Sequence, residues 1–368
     1  MTRLLFAGDL LVTKDHTQLA NATLSDFIRG HDIACVNLEG PLPSSGTAIT
    51  KIGCPLTQAT HTPAFLRAAG FTHITLANNH IADYGAVGIA ATIAGLRDFT
   101  TLGAGSTLDD TYRHHVTTHD GTRFGLVNLA EWGFGAAEHT GGFAWLFHPR
   151  VAALLAAARA DCDVLIAVVH AGAELATIPL PQWRAHYRAL IDAGVDIVIG
   201  HHPHVLQGHE LYRDGHIFYS LGNFLFPVTK QADGARGVGG VLSLSFTGHN
   251  LSNWSLRPLT LKDGLPILDD RPETAAYVQD LDEQLTSPRY DTLVTELVTK
   301  LWHAQYRHFY ESAVGGFHTL RGFLRALRDF ATGRLPHHDL LTHNIRIETH
   351  RFAVLEKFTS PHQPPNNS

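Results

Sequence analysis

Several short apolar runs in this chain each end on a residue that can bind a metal ion. Asp9 follows Leu4 to Ala7, Glu39 follows Ile33 to Leu38, and Asn79 follows His73 to Ala77. His170 follows Val164 to Val169, and His202 with His204 follows Val195 to Ile199. Asp9 alone could be no more than a helix cap. The full set offers two carboxylates, an amide and three imidazoles, a mixture that suits Mn, Zn or Fe(II) better than Ca or Mg. No thiolate is among them, which argues against a purely structural zinc. Two divalent ions about 3.5–4 Å apart would bracket an attacking hydroxide and a leaving oxygen, and Glu39 is suited to bridge them. His202-Pro203-His204 places two imidazoles two residues apart on a loop stiffened by proline. The competing reading is chance in a chain with 26 His; His201 is read as a bystander. In Asn78-Asn79-His80, His80 lies one residue beyond the amide, where an imidazole can serve as a general acid. Asp83 either orients His80 or caps the helix that opens near Tyr84.

These residues need a scaffold that gathers them. The apolar runs read as buried strands, and helical patterns alternate with them at Leu19–Ile28, Pro63–Ala69, Val87–Phe99, Arg150–Ala160 and Gln182–Ala193. Asp120-Gly121 marks a hairpin turn. Strand–loop–helix repetition predicts a layered α/β fold. In open α/β sheets the carboxyl ends of the strands form one shared crevice. From about Arg271 the pattern becomes helical, over Tyr290–Ser312, Phe317–Phe330 and Leu340–Phe358.

The chain has 368 residues, 44% hydrophobic and 17% charged, with a net charge of −6. That is enough to fill a large core. No basic stripe suggests nucleic acid. Cys35, Cys54 and Cys162 are sparse and odd in number, which fits a reducing compartment. The apolar start is too short for a signal peptide, and no run approaches 18 apolar residues. The expectation is a cytoplasmic protein with no membrane partner.

The stretches Phe6–Asp9 (FAGD), Val36–Leu42 (VNLEGPL), Leu76–Gly85 (LANNHIADYG), Leu102–Gly105 (LGAG), His170–Glu174 (HAGAE), Gly200–Gln207 (GHHPHVLQ) and Phe218–Phe224 (FYSLGNF) resemble the bacterial capsule-synthesis proteins of the poly-γ-glutamate (CapA/PgsA) type. That family is a branch of the calcineurin-like metallophosphoesterases. The resemblance covers residues 1 to about 245. It implies a four-layer αββα sandwich, placed over 1–265; the helical periodicity that follows gives an extension over 266–360 outside the resemblance, and the Pro/Asn-rich end gives a disordered tail over 361–368. The resemblance implies two divalent ions (Mn, Zn or Fe): Asp9 and His204 on one, Asn79, His170 and His202 on the other, Glu39 bridging. Glu174 and Asn223 are candidate substrate-contacting or ligand-supporting groups. Two departures from the broader superfamily are Leu11, where a ligating His is usual, and Glu39, where Asp is usual; both are common in the capsule branch. The better-known capsule proteins are membrane-anchored, and the absence of an anchor here points toward an intracellular enzyme.

The leading expectation is hydrolysis through a metal-bound hydroxide, with His80 protonating the leaving group. The substrate would be a small-molecule or peptide-like anion, either a phosphoester or a glutamyl-type amide, with the family tilting toward the amide by analogy alone. Two alternatives stay open. One is a non-catalytic accessory subunit of polyglutamate or natural-product assembly with a degenerate metal site, favoured by Leu11. The other is a bond-forming enzyme using the same site, without a P-loop. The C-terminal helices, with Trp302, Tyr306 and Tyr310, are the expected face for a homo-oligomer or an assembly partner.

Overall fold

The computed structural model describes residues 1–17, 19, 22–51, 53–227, 239–307 and 345–359. In chain order the strands are β1 (Thr2–Leu10), β2 (Ile33–Leu38), β3 (His73–Thr75), β4 (Thr100–Leu102), β5 (Ala104–Gly105), β6 (His115–His119), β7 (Thr122–Ala130) and β8 (Gly142–Phe143). They continue with β9 (Val164–His170), β10 (Ile197–His201), β11 (Leu206–Tyr212), β12 (Gly215–Leu221), β13 (Asn223–Leu225), β14 (Gly239–Thr247), β15 (Asn250–Lys262) and β16 (Leu265–Leu268). The helices are α1 (Ala22–Arg29), α2 (Thr62–Ala69), α3 (Gly85–Gly95), α4 (Leu108–Thr111), α5 (Arg150–Asp161), α6 (Pro181–Asp192), α7 (Pro272–Thr286), α8 (Arg289–Leu301) and α9 (Glu348–Thr359).

One sheet runs β16-β15-β14-β1-β2-β3-β4, with β13 beside the end of β1; the other runs β11-β12-β10-β9-β7-β6. β1 to β4 are parallel to one another, as are β7, β9, β10 and β12. These strands are apolar on both faces, as parallel strands covered on two sides must be. Alternate residues show what covers them. Leu4, Phe6, Ile33 and Cys35 of the first sheet meet Phe124, Ile166, Val168 and Ile199 of the second in one core. Their neighbours Leu5, Ala7 and Val36 turn the other way, into the cluster that holds Leu24 and Ile28 of α1 and Leu66 of α2. Leu165, Ala167 and Val169 likewise share that cluster with Leu154 of α5 and Trp183 and Tyr187 of α6. The architecture is therefore a four-layer αββα sandwich.

The parallel strands point their carboxyl ends to one rim, and close packing there demands glycine. A Cβ on Gly200 would lie 1.9 Å from the Tyr219 carbonyl oxygen, and one on Gly8 would lie 2.1 Å from that of Gly222. Backbone cannot yield as a side chain can. Gly200→Ala is expected to cost about 1–3 kcal/mol, measurable as a lowered midpoint in urea unfolding.

Most elements fall where the sequence places them, and the differences have local causes. The Asp120-Gly121 hairpin forms with positive φ at both residues (48° and 77°). The first helix is described from Ala22 onward, and β10 runs two residues past Ile199 to include His201. The strands β4, β5, β8, β11, β13 and β16 had no separate expectation; five of them have four residues or fewer, too few to show a period. After β16 the chain turns helical at α7, and α8 continues into a wider π turn at Trp302–Tyr306. α9 returns against α8: the Trp302 and Phe358 rings meet edge-on at 4.8 Å, and Lys357 Nζ donates to Thr299 Oγ1 at 3.1 Å. The expected helix over 317–330, the expected helical stretches over 308–312 and 340–344, and the expected tail over 361–368 lie outside the described residues. No described helix is long and apolar enough to cross a membrane.

Candidate metal centre

Asp9 sits where β1 loses register with β2, between Ala7 and Asp9, and its N–H is held by the Gly222 carbonyl at 2.9 Å. Its buried carboxylate accepts from Asn37 Nδ2 (2.8 Å) and from the His202 N–H (3.2 Å), and His201 Nδ1 lies 3.0 Å away. Burial alone would raise this carboxyl. The His201 hydrogen bond and the imidazoles of His201, His170 and His204 outweigh it and hold Asp9 well below the usual carboxylate range.

Glu39 follows β2, and Gly40 turns the chain away with φ of 100°, a conformation that glycine adopts freely. Glu39 is fully buried, yet neither carboxylate oxygen has a hydrogen-bond partner among the described residues. Burial pushes its carboxyl up to about 8. A buried carboxylate without partners is costly, and a cation is the natural compensation.

The other donors surround it. His170 Nε2 lies 3.1 Å from Asn79 Oδ1, 3.0 Å from His202 Nδ1 and 3.8 Å from Glu39 Oε1. His204 Nδ1 is 3.4 Å from Asp9 Oδ2, and its Nε2 is 3.6 Å from Glu39 Oε1. Two groups of atoms close enough to share an ion emerge: Asp9–Glu39–His170 and Glu39–His202–His204. Glu39 belongs to both, as a bridging ligand should. Burial, with the neighbouring His202, keeps His170 neutral-leaning, well below its ordinary value, and burial pulls His202 down to about 4. A neutral imidazole is the form that binds metal. His204 differs: burial would lower it, but Glu39 and Asp9 push it up to about 9. The loop is strained to present these rings, since His202 and His204 both have positive φ (95° and 58°). Such conformations cost about 1–3 kcal/mol each and persist where the surroundings enforce them.

His80 lies beside this cluster with its ring fixed from behind. His80 Nδ1 is 2.7 Å from Asp83 Oδ2 and 3.0 Å from Lys51 Nζ. Lys51 also donates to Asp83 Oδ1 and, at 3.3 Å, to the Asn79 carbonyl. The capping alternative for Asp83 is not realised. The residue at the helix cap is Tyr84, which makes no side-chain capping bond. The Asp83 oxygens are taken instead by His80, Lys51 and the Leu56 N–H. Burial would raise Asp83, but the bonds and charges of His80 and Lys51 hold it low. Burial lowers His80. Lys51 was not singled out in the sequence, because it lies in a loop with no motif spacing to mark it.

Three further residues complete the surroundings. His201 is no bystander: it is 2% exposed and bonded to Asp9. Its place in β10, two residues beyond the expected strand end, brings it there. Asn223 Oδ1 lies 2.9 Å from His204 Nδ1, whereas Glu174 stands exposed at the rim. Glu131, one residue after β7, accepts the Gly172 N–H (3.1 Å) and the Thr349 N–H of α9 (3.0 Å), and lies 3.5 Å from His202 Nε2. Burial, with Glu348 nearby, pushes it up to about 8. All of this opens on a cavity of about 520 Å³ whose lining includes His80, His202, His204 and Asn79.

The profile of the bacterial capsule synthesis protein PGA_cap matches residues 3–228, more than half of the chain. The capsule biosynthesis protein CapA of Bacillus anthracis is 28% identical over 73% of this chain and 69% of its own length. The PGA biosynthesis protein CapA of Bacillus subtilis (strain 168) is 34% identical over 44% of each chain. Here the chain spans less than half of its relative's length. Among solved structures, the 5'-nucleotidase of Candida albicans overlays 82% of this chain and 58% of its own, at a TM-score of 0.41 and 12% identity. On the strength of the profile match, the chain belongs to the bacterial capsule synthesis protein (PGA_cap) family.

Proposed function

We propose that the protein is a hydrolase dependent on two divalent metal ions, Mn, Zn or Fe, acting on a phosphoester or on a glutamyl- or peptide-like amide. The observation that carries this reading is Glu39, whose two unpartnered buried oxygens stand where the two donor groups overlap. Asp9, Asn79, His170, His202 and His204 would complete the holding set. Bound there, such ions supply Lewis acidity and lower the pKa of water.

The chain's own residues supply the rest. Asp83 and Lys51 grip Nδ1 of His80, which leaves Nε2 without a protein partner among the described residues and able to pass a proton to a leaving group. Asn37 spans Asp9 Oδ1 (2.8 Å) and His170 Nδ1 (3.2 Å), so two donors are oriented by one amide. Glu131 supports His202 from its far side, as carboxylates commonly do for metal-bound imidazoles.

Elemental analysis and turnover test this together. Two ions per chain are expected. Activity on phosphoester or peptide panels should vanish on chelation and return with Mn, Zn or Fe. His80→Ala should lower kcat by about 10²–10⁴-fold while the metal content stays the same. A second reading is an accessory subunit with an incomplete site. It is favoured by Leu11, which is apolar and buried where the broader superfamily has a ligand. One ion or none, with no turnover on either panel, would establish it instead.

A further inference from the structure

We propose that the cavity beside the metal cluster receives an apolar group of the substrate, of aryl or short acyl size, against a wall supplied in part by the C-terminal helical segment. This rests on the hydrolase reading and narrows its substrate: one anionic or polar head at the cluster, joined to an apolar body, rather than a run of carboxylates.

The cavity that holds His80, His202 and His204 is also lined by Trp132, Phe134, Phe226, Leu301, Tyr306 and Ile347. Leu301 ends α8, Tyr306 closes the π turn, and Ile347 directly precedes α9. All three lie beyond residues 3–228, the span that the family profile matches.

The wall is built rather than incidental. The buried Glu348 carboxylate accepts the Trp132 N–H at 2.7 Å and Trp145 Nε1–H at 3.2 Å. One residue on, Thr349 donates its N–H to Glu131, and its hydroxyl oxygen accepts from Trp183 Nε1 at 2.7 Å. Ile347 is thereby fixed relative to His202 through Glu131. A preformed apolar wall facing a few convergent polar groups is the usual anatomy of a small-molecule site.

Charge points the same way. Among the described lining residues the only ammonium or guanidinium group is that of Lys51, whose contacts are with Asp83, Asn79 and His80. The lining carboxylates are Glu131 and Glu174. Beyond the cluster and Lys51, a polyanion would set its further charges against carboxylates and ring faces, with no other ammonium or guanidinium among the described lining residues to offset their desolvation. A single anionic head on the cluster avoids that cost, and its apolar body gains from burial.

Calorimetric titration of the metal-loaded full chain with three probes tests this: phenylphosphonate, methylphosphonate and tri-γ-glutamate. Phenylphosphonate is expected to bind at least about tenfold more tightly than methylphosphonate, and tri-γ-glutamate more weakly than either. Ile347→Ala and, separately, Leu301→Ala should reduce that ratio several-fold, with metal content confirming an intact fold. Equal phosphonate affinities, preference for the glutamate oligomer, or a ratio indifferent to both substitutions would overturn the proposal. Binding is read without turnover. A protein that holds metal, shows the ratio and hydrolyses nothing sinks the hydrolase reading alone, and one that holds no metal overturns both.

Discussion

Glu39→Ala is expected to lower the affinity for divalent metal by at least about a hundredfold and hydrolysis by about a hundred- to a thousandfold. Each donor group close enough to share an ion includes this carboxylate, so its removal weakens both positions at once. A further signature separates ligand loss from general damage. In the metal-free protein Glu39 is buried, unpartnered and pushed up to about 8. The unfolded carboxyl titrates near about 4.3. A group raised on folding stabilises fully below its unfolded value and loses that contribution as pH rises through the folded value. The metal-free protein should therefore lose stability from Glu39 between about pH 4.3 and pH 8. Glu39→Gln should remove that contribution, so that it matches or exceeds the metal-free parent in melting temperature at pH 8. Metal should raise the parent's melting temperature far more than the variant's. A variant that keeps its full complement of metal through dialysis would show that the bridge lies elsewhere.

Glu210→Ala carries the largest expected effect on stability alone. Glu210, on β11, is buried and accepts from Arg184 Nε and Nη2 (3.1 and 2.9 Å), from Arg188 and from the Tyr219 hydroxyl (2.6 Å). Arg184 lies over the Tyr290 ring at 4.8 Å, and Tyr219 stacks on Tyr187 at 5.4 Å. One carboxylate therefore joins β11, β12, α6 and α8. Removing a single member of such a buried set costs about 3–5 kcal/mol, because the cations and hydroxyl left behind remain desolvated. Urea unfolding should show the loss, with little change in metal content. The carboxyl itself depends on pH with the opposite sign to Glu39. Burial would raise it, but the arginines and Tyr219 hold it at about 2. Its contribution is present above about pH 4.3 and fades as pH falls toward 2. The acid limb of unfolding should accordingly flatten in the variant.

The candidate site was legible wherever a donor closes a strand, because burial on both faces makes such strands continuous apolar runs and their ends easy to see. Asp9, Glu39, Asn79, His170, His202 and His204 were found that way, and the structure brings their side chains together around Glu39. The layered fold followed from the same alternation. Residues that act only through partners distant in sequence left no such trace. Thr349 and Glu131 are 218 positions apart, and Trp132 and Glu348 are 216 apart. No local period encodes contacts of that kind. Lys51 reaches Asp83 across 32 positions from a loop without regular spacing. His201 was misjudged for a different reason. Two residues' error in a strand end decides whether a side chain belongs to the sheet's rim or to solvent. Asp83 shows the remaining limit, since an aspartate ahead of a helix reads equally well as a cap until its partners are seen.

The bond from Thr349 to Glu131 imposes an order on biosynthesis. Chains emerge from the ribosome N-terminus first, at about 5–20 residues per second. Asp9 and Glu39 leave the exit tunnel early, the His-Pro-His loop follows past the midpoint, and α9 is the final described helix to appear. Throughout that interval Glu131 lacks the Thr349 donor, and the His202 ring is braced from one side less. Products of translation interrupted before α9 would carry every candidate ligand yet hold metal loosely, and competent loading should be a late event.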